Sequence, residues 1–339
     1  MSSRSPNASA SQFGWDFQYN AGIVMMLKNI KDAKSVRIEG KTEDIELELN
    51  DGQKIFGQAK GFVDPADVHN AKAKLSKALE TLAEDVKTGR AKSLVYVTNS
   101  PNPFNDDKTI SRFSGEYSHV PYKDLPKSCQ DTIAEMCAKS HITLPMESFS
   151  VLVFDFCGDG ENRYRIVRQL ANELLAELGL SDRGWGTRAV ERWQIEFTHN
   201  ASQKDLDRTV TKGDMIWPLV VWACEGKPRV EDIEGFDPGE IDEIEEKYRT
   251  LIADNVDRFE FVTKVNAAFD DFRVKSINQA DGPAGMYRRF VSSEWSKFRS
   301  DFDLSDCDER VAQGVISIIL EKIIRSNRII SRIRQGVRL

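Results

Sequence analysis

The chain lacks an excess of basic residues, a cysteine framework and any long apolar run. Its 47 Lys and Arg residues are outnumbered by 54 Asp and Glu residues, so the net charge is −7 and nucleic-acid contact requires a local patch. Five scattered cysteines without a CxxC pair argue against disulfides and favour a reducing compartment. The longest apolar stretches, 151–156 and 217–224, are too short to cross a bilayer, and the first dozen residues do not resemble a signal peptide. These absences predict a soluble cytoplasmic protein with no membrane partner.

Hydrophobic periodicity divides the first part of the chain into alternating helices and strands. An apolar stripe with helical spacing predicts the first helix, and strict alternation of acidic and aliphatic residues predicts a half-buried strand at 44–49. The predicted helices cover 13–31, 65–87, 121–139 and 162–178, and the predicted strands cover 36–39, 44–49, 54–60, 93–98 and 149–156. This order is typical of a mixed α/β domain with a hairpin inside it.

Beyond about residue 210 the pattern becomes mostly helical. The last helix, predicted at 308–335, carries valines and isoleucines at near-helical spacing, which favours packing in a helical assembly over DNA binding by its arginines. We therefore divide the chain into a flexible N-terminus (1–11), an α/β domain (12–205) and a smaller α-helical domain (206–339).

Four polar residues, namely Glu39, Asp44, Gln58 and Lys60, fall on three consecutive predicted strands. If the turn at 50–52 is a three-residue loop with a left-handed glycine, Asp44 lies opposite Gln58. Directly opposed residues project to one face, and Lys60 shares that face because it lies two residues beyond Gln58. A two-residue loop would shift the register by one and send Asp44 to the other face.

These residue types together suit hydrolysis of a phosphodiester. Mg²⁺ takes oxygen ligands, which Asp44, the side chain of Gln58 and the backbone carbonyl of Ala59 can supply. Lys60 can orient or deprotonate an attacking water and offset charge on the phosphate. A bound Mg²⁺ or Mn²⁺ would polarise the phosphoryl group. The sequence therefore predicts a metal-dependent nuclease site.

The same segment resembles the PD-(D/E)xK nuclease superfamily in its D…QxK variant, here Asp44 with 58–60. More narrowly, GWDFQYNAGIVMML, IEGKTEDIEL, GQAK and LVYVTNS resemble the double-stranded-DNA endonuclease domain of bacterial anti-phage effectors, over about residues 12–200. Such effectors occur in cyclic-oligonucleotide signalling systems (CBASS) and in Lamassu-type systems with an SMC-like ATPase. The resemblance implies a restriction-endonuclease-like mixed sheet flanked by helices.

The resemblance also implies roles for two further residues. Gln18, in the first helix, would lie beside the metal-binding acids, and Glu39 would be a metal ligand with Asp44, Gln58 and Ala59. The sequence departs from the commonest form of the superfamily because Gln58 replaces the second carboxylate, which removes one negative charge from the metal site.

The helix after the GQAK strand carries candidate DNA-binding residues. Lys72, Lys74 and Lys77 could contact the phosphates of a duplex, although an ordinary solvated helix face has the same composition. Nothing in the chain has the pattern of a recognition helix or a finger array, so we expect low sequence specificity.

The C-terminal domain is the feature that distinguishes a CBASS effector from a Lamassu-type effector. A CBASS effector would carry a larger α/β sensor for a cyclic nucleotide, whereas this segment is shorter and helical. It fits better as a docking module in a Lamassu-type complex with an SMC-like ATPase and a small third subunit. We expect these partners to hold the nuclease inactive until a trigger releases it to self-associate. The alternatives are a cyclic-oligonucleotide-activated CBASS nuclease, a non-catalytic adaptor with the nuclease fold, and an RNA-directed nuclease.

Overall fold

A computed structural model of the chain describes residues 8–40, 44–87, 89–180, 184–205, 207–225, 233–256, 258–276 and 283–339. The chain forms two compact units, of which the first is Met1–Pro218 with Gly336–Leu339 and the second is Leu219–Gln335. Of the N-terminus predicted to be flexible, residues 1–7 lie outside the described residues, whereas residues 8–11 belong to the first helix.

The first unit is built on one mixed sheet of seven strands, in the spatial order β5-β6-β4-β3-β2-β1-β7. Strands β3, β4 and β6 run parallel, and the remaining neighbours pair antiparallel. The five predicted strands are confirmed as β1, β2, β3, β4 and β6. The two strands that were not predicted, β5 and β7, lie at the two edges of the sheet. The bounds are β1 Ala33–Ile38, β2 Ile45–Leu49, β3 Lys54–Lys60, β4 Ala91–Thr98, β5 Tyr117–Pro121, β6 Phe149–Phe154 and β7 Val210–Thr211.

Helices cover both faces of this sheet. Phe56 and Tyr96 pack with Leu79 of α2 and with α4, whereas the next residue along β3, Gly57, faces Met25 of α1. Helices α5 and α6 contact α1 and so lie on its side. Helix α6 was not predicted, and α2 begins six residues after its predicted start. The helices are α1 Ala8–Lys28, α2 Ala71–Val86, α3 Ile110–Phe113, α4 Lys127–Lys139, α5 Arg165–Glu177 and α6 Trp185–Ala201.

The remaining described elements are helical. Helix α7 begins in the first unit, and α12 is the helix that was predicted at 308–335. Helices α8 to α12 bury a core of aliphatic and aromatic side chains that includes Ile319 and Phe290. The predicted fold class, a mixed α/β sheet flanked by helices and followed by a helical region, is confirmed. The helices are α7 Lys212–Glu225, α8 Pro238–Lys247, α9 Arg249–Val256, α10 Phe259–Lys275, α11 Pro283–Glu294 and α12 Glu309–Val337.

Within the described part of the chain, no helix combines the length and the apolar character needed to cross a membrane.

The hairpin between β2 and β3 has the predicted register. Ile45 pairs with Gly57, and the amide of Leu49 donates to the carbonyl of Gln53 at 2.9 Å, so three residues form the loop. Gly52 is left-handed, with φ of 79°, which is the conformation that such a loop requires at this position. One residue beyond the Ile45–Gly57 pair, Asp44 lies opposite Gln58.

Candidate metal and catalytic site

Asp44 and Lys60 meet on the same face of the sheet. The Nζ atom of Lys60 lies 3.1 Å from Oδ2 of Asp44, and their side chains are 22% and 15% exposed. The backbone amide of Ala59 donates to the same carboxylate oxygen at 3.0 Å. The structure therefore brings together the acid and the lysine that the sequence places on neighbouring strands.

Hairpin geometry explains why this carboxylate reaches β3. Leu49 and Gln53 form a hydrogen-bonded pair, and such pairs alternate along an antiparallel ladder. Asp44 and Gln58 therefore form a non-hydrogen-bonded pair, in which side chains approach more closely. The amide of Ala59 then points toward β2 and donates to the Asp44 side chain, and its carbonyl points the same way. Gln58 itself is buried, with 2% of its surface exposed.

Glu39 lies beside Asp44, immediately after β1. Its backbone amide donates to the carbonyl of Asp44 at 2.9 Å, and its φ of 53° is a left-handed conformation that non-glycine residues seldom adopt. Burial and the negative charge of Asp44 raise the pKa of Glu39, while a hydrogen bond from Gln18 and the charge of Lys60 act in the opposite direction. Gln18, Glu39, Asp44 and Lys60 thus form one cluster, which we call the Asp44 cluster.

Glycine allows α1 to approach this end of β3. A Cβ atom on Gly61 would lie 2.9 Å from Cγ of Phe17, and one on Gly57 would lie 2.7 Å from Sδ of Met25. Neither position leaves room for a side chain, so the helix can pack directly against the strand. This close packing places Gln18, the residue after Phe17, next to Glu39.

Lys74 contributes to the site in a way that the sequence did not reveal. Its Nζ donates to the carbonyl of Gly61 at 2.6 Å and lies 3.7 Å from the ring centroid of Phe62. Burial lowers the pKa of Lys74, and the nearby charge of Lys60 lowers it further. Lys72 and Lys77, on the same helix, are exposed. Of the three candidate DNA-binding lysines, Lys74 therefore points inward, toward the loop after β3.

Asn99 holds that loop in place and was also missed. Its side-chain oxygen accepts from the amide of Phe62 at 2.7 Å, and its amide group donates to the carbonyls of Phe62 and Phe156 at 2.8 Å each. The three bonds tie together the segments that follow β3, β4 and β6. The sequence assigned no role to Asn99, because its partners are 37 and 57 residues away.

The donor set of the Asp44 cluster fits a hard divalent cation. Two carboxylates stand close enough for one to raise the pKa of the other, which is the situation that a bound cation relieves. Besides the amide oxygen of Gln18, the register adds two oxygens from outside the cluster, namely the side chain of Gln58 opposite Asp44 and the carbonyl of Ala59. Mg²⁺ prefers such oxygen ligands. Among the described residues no group of three or more His, Cys, Asp or Glu side chains forms a metal site. A cation here would therefore need the amide and carbonyl oxygens as well as the two acids.

Comparison with protein-family models finds no match, and comparison with curated proteins finds none either. Among solved structures, the chain is similar to the Acinetobacter baumannii Cap4 SAVED/CARF-domain containing receptor. The two share 13% sequence identity with a TM-score of 0.39, covering 61% of this chain and 46% of that one. The corresponding Moraxella osloensis receptor gives 13% identity and a TM-score of 0.36, covering 74% of this chain and 61% of that one. The chain thus spans about half the length of the Acinetobacter receptor.

Proposed function

We propose that this chain is a metal-dependent endonuclease that cleaves double-stranded DNA. The observation that carries the proposal is the Asp44 carboxylate, held between the amide of Ala59 and the ammonium of Lys60, with Glu39 and Gln18 beside it. An acid and a lysine from neighbouring strands, next to a second acid, provide ligands for a cation and a positive charge for a phosphate.

Each residue of the Asp44 cluster has a defined task in this proposal. Asp44 and Glu39 would hold Mg²⁺ or Mn²⁺, with Gln58 and the carbonyl of Ala59 completing the oxygen ligands. The ion would supply Lewis-acid polarisation of the phosphoryl group. The ammonium of Lys60 donates to Asp44 and therefore lies at the proposed ion site. We propose that it orients the attacking water and offsets the negative charge on the phosphate. Gln18 positions Glu39 through its hydrogen bond.

Cleavage of plasmid DNA in Mg²⁺ or Mn²⁺ tests the proposal. We expect Lys60→Ala and Asp44→Ala each to slow cleavage by about 100-fold or more, because general acid–base and electrostatic contributions are of that size. Lys54→Ala is a matched control, since Lys54 pairs with Glu46 across the same two strands at 2.9 Å but lies outside the Asp44 cluster.

The control should cleave near the wild-type rate. Cleavage by Lys60→Ala at the wild-type rate would contradict the assignment of Lys60, whereas no cleavage by the wild-type chain would favour the non-catalytic adaptor. Duplex RNA digested in parallel would separate the DNA nuclease from an RNA nuclease.

We further propose that the nuclease is an effector of bacterial anti-phage defence, of the Lamassu type. The D…QxK motif and its flanking segments support a role in anti-phage defence. The second unit supports the Lamassu type. Its described residues, 219–225, 233–256, 258–276 and 283–335, form helices and no strand, which suits a module that docks onto other protein subunits. We therefore propose that the helical unit docks onto an SMC-like ATPase and a small third subunit, rather than binding a cyclic oligonucleotide.

Regulation by these partners can be tested with the native complex. The complex should cleave DNA slowly until triggered, and the released chain should show a rate per molecule that rises with protein concentration, as self-association requires. A purified monomer that cleaves at the full rate at every concentration would contradict this part of the proposal.

A further inference from the structure

A second concave site lies next to the Asp44 cluster in the first unit. It is an open cleft of about 1140 Å³, large enough for a flat ligand of nucleotide size. Residues of α1, the loop after β3, the segment before α5, and α6 line it. We call it the Trp15 cleft, and its main lining residues are Trp15, Asp16, Tyr19, Arg163, Tyr164 and Gln194.

Helix α1 connects the Trp15 cleft to the Asp44 cluster. Gln18 contacts Glu39 in the cluster, while the next residue, Tyr19, lines the cleft. Burial and the negative charge of Glu39 raise the pKa of Tyr19. Adjacent residues of α1, Gln18 and Tyr19, therefore belong to the Asp44 cluster and to the Trp15 cleft.

The charges of the cleft do not favour a phosphate. Asp16 accepts hydrogen bonds from Arg163 at 3.2 Å, from the hydroxyl of Tyr164 at 3.1 Å and from Asn20 at 3.0 Å. Arg163, the one arginine among the described lining residues, is thereby committed to a carboxylate, and Asp159 adds a second negative charge. A phosphate would meet acids here rather than free cations.

The apolar and amide groups of the cleft suit a nucleobase instead. Trp15 is 44% exposed, and its ring centroid lies 6.3 Å from that of Tyr19, one helical turn away. Exposed aromatic faces stack on bases of any sequence. The side-chain nitrogen of Gln194 donates to Oδ1 of Asn20 at 2.9 Å, which leaves its carbonyl oxygen to accept from a base edge. An uncharged, flat, polar-edged group matches this combination of surfaces.

We infer that the Trp15 cleft receives a nucleobase of an unpaired or displaced nucleotide next to the scissile phosphodiester. This inference rests on the proposed nuclease function and assigns to it a preference for DNA with single-stranded character. Since stacking tolerates any base, the inference agrees with low sequence specificity.

Binding of three fluorescent DNA ligands to the full-length Lys60→Ala chain, measured by anisotropy, tests the inference. The ligands are a blunt duplex, the same duplex with a three-nucleotide overhang, and a duplex whose overhang is abasic. We expect the overhang duplex to bind about tenfold more tightly than the other two, because stacking of a base on an aromatic ring is worth that much or more.

Variants of Trp15 locate the effect. In the same background Trp15→Ala should abolish the preference for the overhang and Trp15→Phe should retain most of it. The matched control is Trp217→Ala, which removes a tryptophan that is 47% exposed and does not line the cleft, and which should leave the preference intact. Circular dichroism would establish that each variant is folded, and Trp15→Phe keeps the test valid if the alanine variant is not.

Three outcomes overturn the inference. Equal binding of all three ligands would indicate that the cleft takes another occupant, such as a segment of a partner protein, and an unchanged preference in Trp15→Ala would place the base elsewhere. If the wild-type chain still cleaves plasmid in either case, only the cleft assignment fails. A chain that neither binds nor cleaves any form of DNA would remove the proposed nuclease function together with the inference.

Discussion

At the scale of single residues, Glu39 occupies unfavourable surroundings for a negative charge. Burial and the charge of Asp44 raise its pKa above the ordinary 4.5, and its backbone is left-handed. An acid with a raised pKa contributes stability that is present below its ordinary pKa and is lost as the pH rises through the pKa of the folded protein. Sites that hold ligands commonly sacrifice stability in this way.

Glu39→Gln tests this interpretation. In metal-free buffer with EDTA we expect the variant to have a higher free energy of unfolding than the wild type at pH 8, with a smaller difference at pH 5. The neutral amide removes the repulsion from Asp44, and that repulsion acts only when Glu39 is ionised. Urea denaturation at the two pH values measures the difference, and the same variant should lose most cleavage activity. A variant less stable than the wild type at pH 8 would contradict the electrostatic explanation.

At the scale of secondary-structure elements, the hairpin between β2 and β3 could be predicted because its signals are local. Alternation of period two over 44–49 and the turn residues at 50–52 determine which side chains share a face. The edge strand β7 has only two residues, which is too short for any periodicity. Helix α6 had a usable signal in the spacing of Val190, Trp193 and Phe197, all buried on one side.

The inward contacts of Lys74 and Asn99 could not be predicted in the same way. Both side chains bond to backbone groups that come near only when the sheet has formed, since the partners are 13 to 57 residues away. Composition and spacing describe Lys74 equally well as an exposed lysine on a polar helix face. Only the packing of α2 against the loop after β3 distinguishes an inward-pointing Lys74 from an exposed one.

Two glycines, one on each side of β3, should distinguish an effect on stability from an effect on the position of α1. Gly61→Ala should slow cleavage by about 10- to 100-fold, because its Cβ would meet the ring of Phe17 at 2.9 Å and move the helix that carries Gln18. Gly52→Ala is the control. An alanine in the left-handed conformation of Gly52 should cost about 1 kcal/mol of stability, but position 52 lies at the far end of the hairpin from the Asp44 cluster. Its folded fraction should cleave at the wild-type rate. Equal rates for the two variants would argue against positioning by α1.

The three lysines of α2 should differ in their effect on DNA binding, because Lys74 points inward whereas Lys72 and Lys77 are exposed. Lys72→Ala and Lys77→Ala should each reduce the salt dependence of duplex binding by about one ion, as expected for phosphate contacts. Lys74→Ala should leave that slope unchanged and lower the free energy of unfolding, because its amine is bonded to Gly61 and packs on Phe62. Anisotropy at several salt concentrations and urea denaturation provide the two readouts. A reduced slope for Lys74→Ala would instead place its amine on the DNA.

At the scale of the whole molecule, the end of the described chain completes the first unit. Gly336–Leu339 belong to that unit, and Val337 is buried. The Nζ atom of the buried Lys212 donates to the carbonyls of Val337 at 2.9 Å and of Lys31 and Arg338 at 3.1 Å each. The sequence placed residues 336–339 in the C-terminal domain because no local pattern shows that the chain returns to Lys212.

Ending the chain after Gln335 tests this arrangement. The shortened chain should lose about 2–4 kcal/mol in the free energy of unfolding of the first unit, since Lys212 keeps only one of its three acceptors and a buried valine is lost. Thermal and urea denaturation would measure the loss. Unchanged stability would mean that the contacts of Lys212 contribute little.

The central claim is that Asp44 and Glu39 hold a cation beside Lys60, and Mn²⁺ binding followed by electron paramagnetic resonance tests it most directly. We expect the wild type and Lys60→Ala to bind Mn²⁺ with similar affinity, although only the wild type cleaves DNA. Asp44→Asn should bind at least about tenfold more weakly, because a charged ligand is replaced by a neutral one. Equal Mn²⁺ affinity for Asp44→Asn and the wild type would contradict the claim.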